Sequence, residues 1–113
     1  MEKFMFLRFG SKHFKIDIES VLYVKAEKRY TSVVTERTSH PASIAISDLE
    51  KILPCSLFCK IHRSFIVSLK YIDEFDNDFV YIGKNKIPIS EHYRTVLKNS
   101  ITIINGKNGH PPS

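Results

Sequence analysis

No stretch of this sequence approaches the roughly 20 consecutive apolar residues that a bilayer-spanning helix needs. The opening Met1-Glu2-Lys3-Phe4 has neither the cationic start nor the long apolar core of a secretion signal. A soluble, cytoplasmic chain that enters no membrane is therefore expected. Also missing are a glycine-rich phosphate loop, a nucleophile elbow and the His and carboxylate spacing of metalloproteases. These gaps argue against an enzyme, a small-molecule substrate and a cofactor. Cysteine is scarce, with only Cys55 and Cys59. Together with His62 they give a Cys-x3-Cys-x2-His pattern that lacks a fourth ligand, so no metal is expected. Two reduced thiols are the better reading, the second in the apolar setting Leu57-Phe58-Cys59. Internal repeats are absent as well.

Negative charge is in deficit, because 12 Asp and Glu face 17 Lys and Arg, leaving a formal charge of +5. A pI near 9.3 favours polyanionic partners, nucleic acid or anionic lipid, without choosing between them. The 113 residues suit one domain with one modest core.

Aromatic and β-branched residues dominate short segments separated by turn formers, the pattern of a mostly-β chain. Residues 4–9 read as a strand and Gly10-Ser11-Lys12 as a turn. The next strand alternates, with Phe14, Ile16 and Ile18 on one face and Lys15 and Asp17 on the other. Strands over residues 21–26 and 30–35 flank the polar Glu27-Lys28-Arg29. Residues 36–39 then turn into a strand over 40–46, whose start Pro41 keeps at a sheet edge. Ser47-Asp48-Leu49-Glu50 has capping-box spacing and predicts a helix from Ser47, with Leu49, Ile52 and Leu53 as its apolar stripe and Pro54 as its stop. After a strand over 65–69, the turn clusters Asp76-Asn77-Asp78 and Gly83-Lys84-Asn85 flank residues 79–82, so that three antiparallel strands run as a meander to Ile89. Ser90 caps a second short helix. Its stripe of Tyr93, Val96 and Leu97 docks on a sheet and leaves His92, Arg94 and Lys98 at the flanks. Residues 101–104 read as a further strand. The domain is expected over residues 1–104, with 105–113 a flexible tail rich in Gly, Asn and Pro.

A helix-turn-helix needs two adjoining amphipathic helices. Here the two predicted helices are short and separated by about forty residues of strand and turn, so that class is not expected. Basic groups gather instead on connections between strands: Lys25, Lys28 and Arg29 with Tyr30; Lys60, His62 and Arg63; and His92, Arg94 and Lys98.

One stretch is especially informative. In Ile61-His62-Arg63-Ser64-Phe65-Ile66-Val67-Ser68-Leu69, cationic and hydroxyl groups run straight into an apolar strand-forming segment. With Val21-Leu22-Tyr23-Val24-Lys25-Ala26 upstream and Ile87-Pro88-Ile89-Ser90-Glu91-His92-Tyr93 downstream, it resembles the LytTR family, the β-rich DNA-binding domain of bacterial transcription (response) regulators in two-component systems. The resemblance runs from about Phe4 to Ile104, with the three motifs in the family's order. It implies an elongated, mostly-β fold of stacked antiparallel sheets with two short helices. It also implies that inter-strand loops enter successive major grooves of double-stranded DNA, at repeated promoter sites that two copies occupy as a dimer. The family's base-reading loops match residues 27–30, 62–64 and 90–92. Three positions depart from the family's habit: Glu91, where many members carry Arg; Lys25, where Glu is common; and Ser68, where Asn is common.

Each candidate contact has a plainer alternative. Arg63 suits bidentate recognition of guanine, against an ion pair to a nearby carboxylate. His62 and Ser64 lie in the same loop, and the imidazole can instead bond a backbone carbonyl to fix it. Lys28 and Arg29 suit phosphates, against a solvated turn. Tyr30 is the more ordinary as a half-buried strand aromatic than as a base stacker. His92 sits in the first turn of a helix whose amides attract phosphate, whereas Arg94 and Lys98 fit simple solvated charges. The leading expectation is sequence-specific double-stranded DNA binding that regulates transcription. The alternative is a β-rich interaction module for an acidic protein or single-stranded RNA.

Overall fold

Strand alternation sorts the apolar side chains onto opposite faces, and three antiparallel sheets result. The computed structural model describes residues 3–105. Strands β1 (Phe4–Phe9) and β2 (Lys12–Asp17) form a hairpin. Its turn needs a left-handed residue, which Gly10 supplies at φ 63° without a Cβ penalty. Strands β3 (Val21–Ala26), β4 (Thr31–Thr35), β5 (Ser39–Ala42), β6 (Phe58–His62) and β7 (Phe65–Ser68) make a five-stranded sheet in the order β5-β4-β3-β7-β6. A third sheet holds β8 (Glu74–Phe75), β9 (Phe79–Ile82) and β10 (Asn85–Pro88) in the order β10-β9-β8. Helix α1 (Ile46–Ile52) follows β5, and α2 (Glu91–Asn99) follows β10.

The five-stranded sheet is the middle layer, since its successive residues serve two different cores. Val24 lies opposite Ile66, and both enter a core with Val33, Leu7 and Ile16 of the hairpin and Leu49 of α1. One residue earlier, Tyr23 lies opposite Val67, and this pair faces a second core with Val80, Ile82, Ile87 and Leu97 of α2. Hairpin and α1 cover one face; the three-stranded sheet and α2 cover the other. The molecule measures 56 × 27 × 25 Å, matching the expected elongated, mostly-β stack with two short helices.

Several local expectations give way to this packing. Helix α1 starts at Ile46 with Ala45 as N-cap and no side-chain cap bond, so Ser47 lies inside it and the capping box does not form. Burying Ile46 in the first core contributes about 1.5–3 kcal/mol, more than the roughly 1 kcal/mol of a serine cap. Ile52, placed on the apolar stripe by sequence, is 60% exposed; Ile46, Leu49 and Leu53 are the buried set, and the chain leaves the helix at Leu53 before Pro54. Strand β7 pairs with β3 and β6 rather than with the meander, whose first strand is the short β8. Strand β6 was not anticipated, nor the early end of β5 at Ala42. Pro41 does sit on an edge strand. Ser90 occupies the N-cap of α2 without a side-chain bond, and Val96 is exposed. Residues 101–104 form no strand. Apart from Asn105, the expected tail lies outside the described residues.

Candidate nucleic-acid interface

Antiparallel pairing brings the end of β3 (Ala26), the start of β4 (Thr31), the end of β6 (His62) and the start of β7 (Phe65) to the same end of the middle sheet. Two backbone hydrogen bonds extend this cluster. The Ala26 N–H donates to the Ser64 carbonyl at 2.8 Å, and the Ser90 N–H donates to the Ile61 carbonyl at 3.0 Å. The three places singled out by sequence, residues 27–30, 62–64 and 90–92, are thus neighbours.

Lys28, Arg29 and Tyr30 are all exposed on the β3–β4 loop, which the Glu27 N–H closes by donating to the Tyr30 carbonyl at 2.9 Å. The Glu27 carboxylate is turned back and accepts from Ser32 Oγ at 3.2 Å. Tyr30 lies outside β4 and packs edge-on against Phe9, with ring centroids 5.9 Å apart. Residues 27–30 also wall a shallow crevice of about 580 Å³ together with residues 43–46.

Arg63 is exposed at the tip of the β6–β7 connection. Among the described residues no carboxylate forms an ion pair with it. His62 is half-buried, its ring edge-on to Phe65 at 5.5 Å, and Nδ1 accepts the Ser64 N–H at 3.0 Å. The imidazole therefore does fix the loop, but through an amide rather than the anticipated carbonyl. An accepting Nδ1 leaves Nε2 as the donor nitrogen of the neutral ring. Ser64 is half-buried, its backbone tied to His62 on one side and Ala26 on the other.

Glu91 and His92 are exposed in the first turn of α2, the His92 ring edge-on to Tyr93 at 4.9 Å. Arg94 is turned elsewhere. Its Nε donates to the Asn77 carbonyl at 2.7 Å, and a terminal nitrogen meets Asp78 Oδ1 at 3.2 Å. Lys98, exposed and about 9 Å further along the helix axis than His92, lines a small crevice with Arg94 and the Phe75-Asp76-Asn77 turn. Neither joins the loop cluster. Lys60 also leaves the basic group in which the sequence placed it: it reaches Glu50 of α1 at 3.6 Å, with its side chain only 13% exposed. Burial raises the Cys59 thiol above its ordinary value, which keeps it protonated and unreactive, whereas Cys55 is exposed.

Sequence reading missed the tip of the β1–β2 hairpin as a neighbour of this surface. Besides the Phe9–Tyr30 contact, the Arg8 carbonyl accepts the Ser43 N–H at 2.7 Å. Nothing local in Arg8 to His13 signals that placement, which comes from packing against residues more than twenty positions away.

The sequence model of the LytTr DNA-binding domain matches residues 11–102. The chain belongs to the LytTR family of DNA-binding domains. A solved LytTr DNA-binding domain from Bacillus cereus shares the fold, with a TM-score of 0.77 at 21% identity over 88% of this chain and 97% of that one. The sensory transduction protein LytT of Bacillus subtilis is 34% identical over 94 residues, 78% of this chain and 39% of that protein. The heme-containing CO-sensing transcriptional regulator RcoM 2 of Paraburkholderia xenovorans is 33% identical over 96 residues, 79% of this chain and 36% of that protein. This LytTR chain thus spans under two fifths of the length of either relative.

Proposed function

We propose that residues 1–104 form a unit that binds double-stranded DNA sequence-specifically and regulates transcription in the cytoplasm, two copies occupying repeated promoter sites. The observation that carries this reading is the gathering of three loops at one end of the stack, with Lys28, Arg29, Arg63 and His92 exposed and two backbone bonds fixing their relative positions. Loops on a rigid sheet hold their side chains at defined spacing, which base reading requires.

Arg63 is assigned to base edges, because a guanidinium with no carboxylate partner among the described residues is available to clasp guanine. His62 presents Nε2 beside it, and Ser64 holds the turn. Lys28, Arg29 and His92 are assigned to phosphates. Tyr30 serves by shaping its loop against Phe9. We give Arg94 a bracing role and place Lys98 outside the base-reading surface. From the β3–β4 loop in the middle layer to α2 in an outer one, the surface crosses about 10 Å of layer spacing. Side-chain reach at both ends brings it to a large part of the roughly 34 Å helical repeat of DNA.

Selection from random duplexes, followed by a salt titration, tests the reading. A recurrent motif is expected, with log affinity falling against log salt at about −0.9 for each of some five to eight phosphates. No enriched sequence and a nearly flat titration would overturn it. Preferential binding to single strands would favour an RNA-binding module instead.

A further inference from the structure

We infer that the tip of the β1–β2 hairpin is a fourth nucleic-acid contact, with Lys12 and Arg8 neutralising phosphates beyond the outer side of the loop that carries Lys28, Arg29 and Tyr30. The inference rests on the DNA-binding reading above and adds a contact that the three loops do not supply. Residues 8–13, Arg-Phe-Gly-Ser-Lys-His, contain the basic residues Arg8 and Lys12 and no acid, and Arg8, Lys12 and His13 are all exposed.

Geometry places this charge. Phe9 lies directly opposite Lys12 across the hairpin, so both project from one face, and on that face the Phe9 ring meets Tyr30. Lys12 therefore leans toward the β3–β4 loop. Arg8, paired with His13, lies on the outer face, where one of its terminal nitrogens bonds the Gly10 carbonyl at 3.2 Å and holds the guanidinium at the turn. The 2.7 Å bond from the Ser43 N–H to the Arg8 carbonyl locks the tip to the chain leaving β5, so it cannot swing away without breaking a backbone bond.

The surface then runs across all three layers: hairpin tip, middle-sheet loops, and the start of α2. With neighbouring layers about 10 Å apart, its ends are separated by roughly 20 Å. That exceeds half of the roughly 34 Å helical repeat, enough to reach a phosphate backbone on the far side of the groove that the middle loops enter. Glu27, the acid of the adjoining β3–β4 loop, is turned back to accept from Ser32.

The test compares the full chain with Lys12→Ala, Arg8→Ala and the double variant, by salt titration on a long random-sequence duplex and by hydroxyl-radical footprinting on a duplex that carries one copy of a motif recovered by the selection above. The salt slope should shrink by about 0.9 for Lys12→Ala and about 1.8 for the double variant. Protection should disappear only at the footprint border next to the β3–β4 loop. Unchanged slopes and borders, with the unmodified chain still salt-dependent, overturn the hairpin contact and leave the DNA reading intact. A flat titration of the unmodified chain instead fails the DNA reading itself. The Lys12 side chain makes no hydrogen bond or ion pair among the described residues, and its backbone pairing with Phe9 is open to alanine, so Lys12→Ala keeps the fold and decides the matter even if loss of the Arg8–Gly10 bond lowers the melting temperature of the others.

Discussion

The Ser64 N–H donates to Nδ1 of His62 at 3.0 Å, closing the short turn that carries Arg63. A side chain two residues back thus satisfies an amide that no strand partner takes. His62→Ala should leave that half-buried donor unmatched, at about 1–3 kcal/mol, which for a domain of this size means a melting temperature lower by several degrees per kcal/mol. His62→Asn, whose Oδ1 can accept the same N–H, should recover most of the loss. Equal melting of the two variants would show that the bond contributes nothing.

Arg94 invites a different separation. Its contacts to the Asn77 carbonyl and Asp78 tie α2 to the β8–β9 turn, but its side chain is 36% and that of Asp78 70% exposed, so solvent screens the ion pair. Arg94→Ala should cost about 0.5–1 kcal/mol of stability and leave the salt slope of duplex binding unchanged. A slope reduced by a full unit, with melting unaffected, would instead assign Arg94 to a phosphate.

Much of the fold was legible because alternation is local. Phe14, Ile16 and Ile18 marked an inner face, and residues 21–26 read as β3 to the residue. Which sheet a strand joins was not legible. Residues 65–68 carry the same apolar signal whether they pair with β3 or with the meander, and only burial of Ile66 and Val67 in two separate cores decides it. Strand β6 hid for a related reason: Phe58 faces one core while Cys59 and Ile61 face the other, and the register shift between Lys60 and His62 breaks period-two alternation. Arg63 and Lys28 stood out as exposed loop cations from their sequence setting. Lys60 did not betray its pairing with Glu50, and the hairpin tip gave no sign of lying beside Tyr30, because both depend on contacts between distant segments.

Asp76 makes stability depend on acid. Its Oδ1 accepts the N–H groups of Asp78 and Phe79, both at 2.8 Å, and these bonds hold its carboxyl below the ordinary value of 3.8. A depressed value in the folded state means that this stabilisation is complete above the unfolded value and fades as pH falls through the folded one. Asp76→Asn keeps an acceptor oxygen but cannot titrate. The gap in stability between the two chains, measured by urea unfolding, should be constant above about pH 5 and close as the pH drops below about 4. A gap independent of pH would detach Asp76 from the turn's acid sensitivity.

Glu91 should pull binding and stability in opposite directions. It is exposed in the first turn of α2, beside His92 and one residue from the Ser90 N–H that bonds Ile61, so it lies on the proposed DNA face. There its charge repels phosphate. The same charge suits the helix, because Ser90 makes no side-chain cap bond and an anion near the N-terminus is favourable by about 0.3–1 kcal/mol. Glu91→Arg should therefore melt slightly earlier without DNA, yet bind nonspecific duplex more tightly at low salt, with a slope steeper by about 0.9 if the new guanidinium reaches one phosphate. Glu91→Gln separates the two contributions, since it removes the repulsion and the helix anion without adding a contact. Its affinity should fall between those of the parent and the Arg variant, and its slope should match the parent's. Earlier melting with unchanged affinity in both variants would move Glu91, and with it the start of α2, off the DNA face.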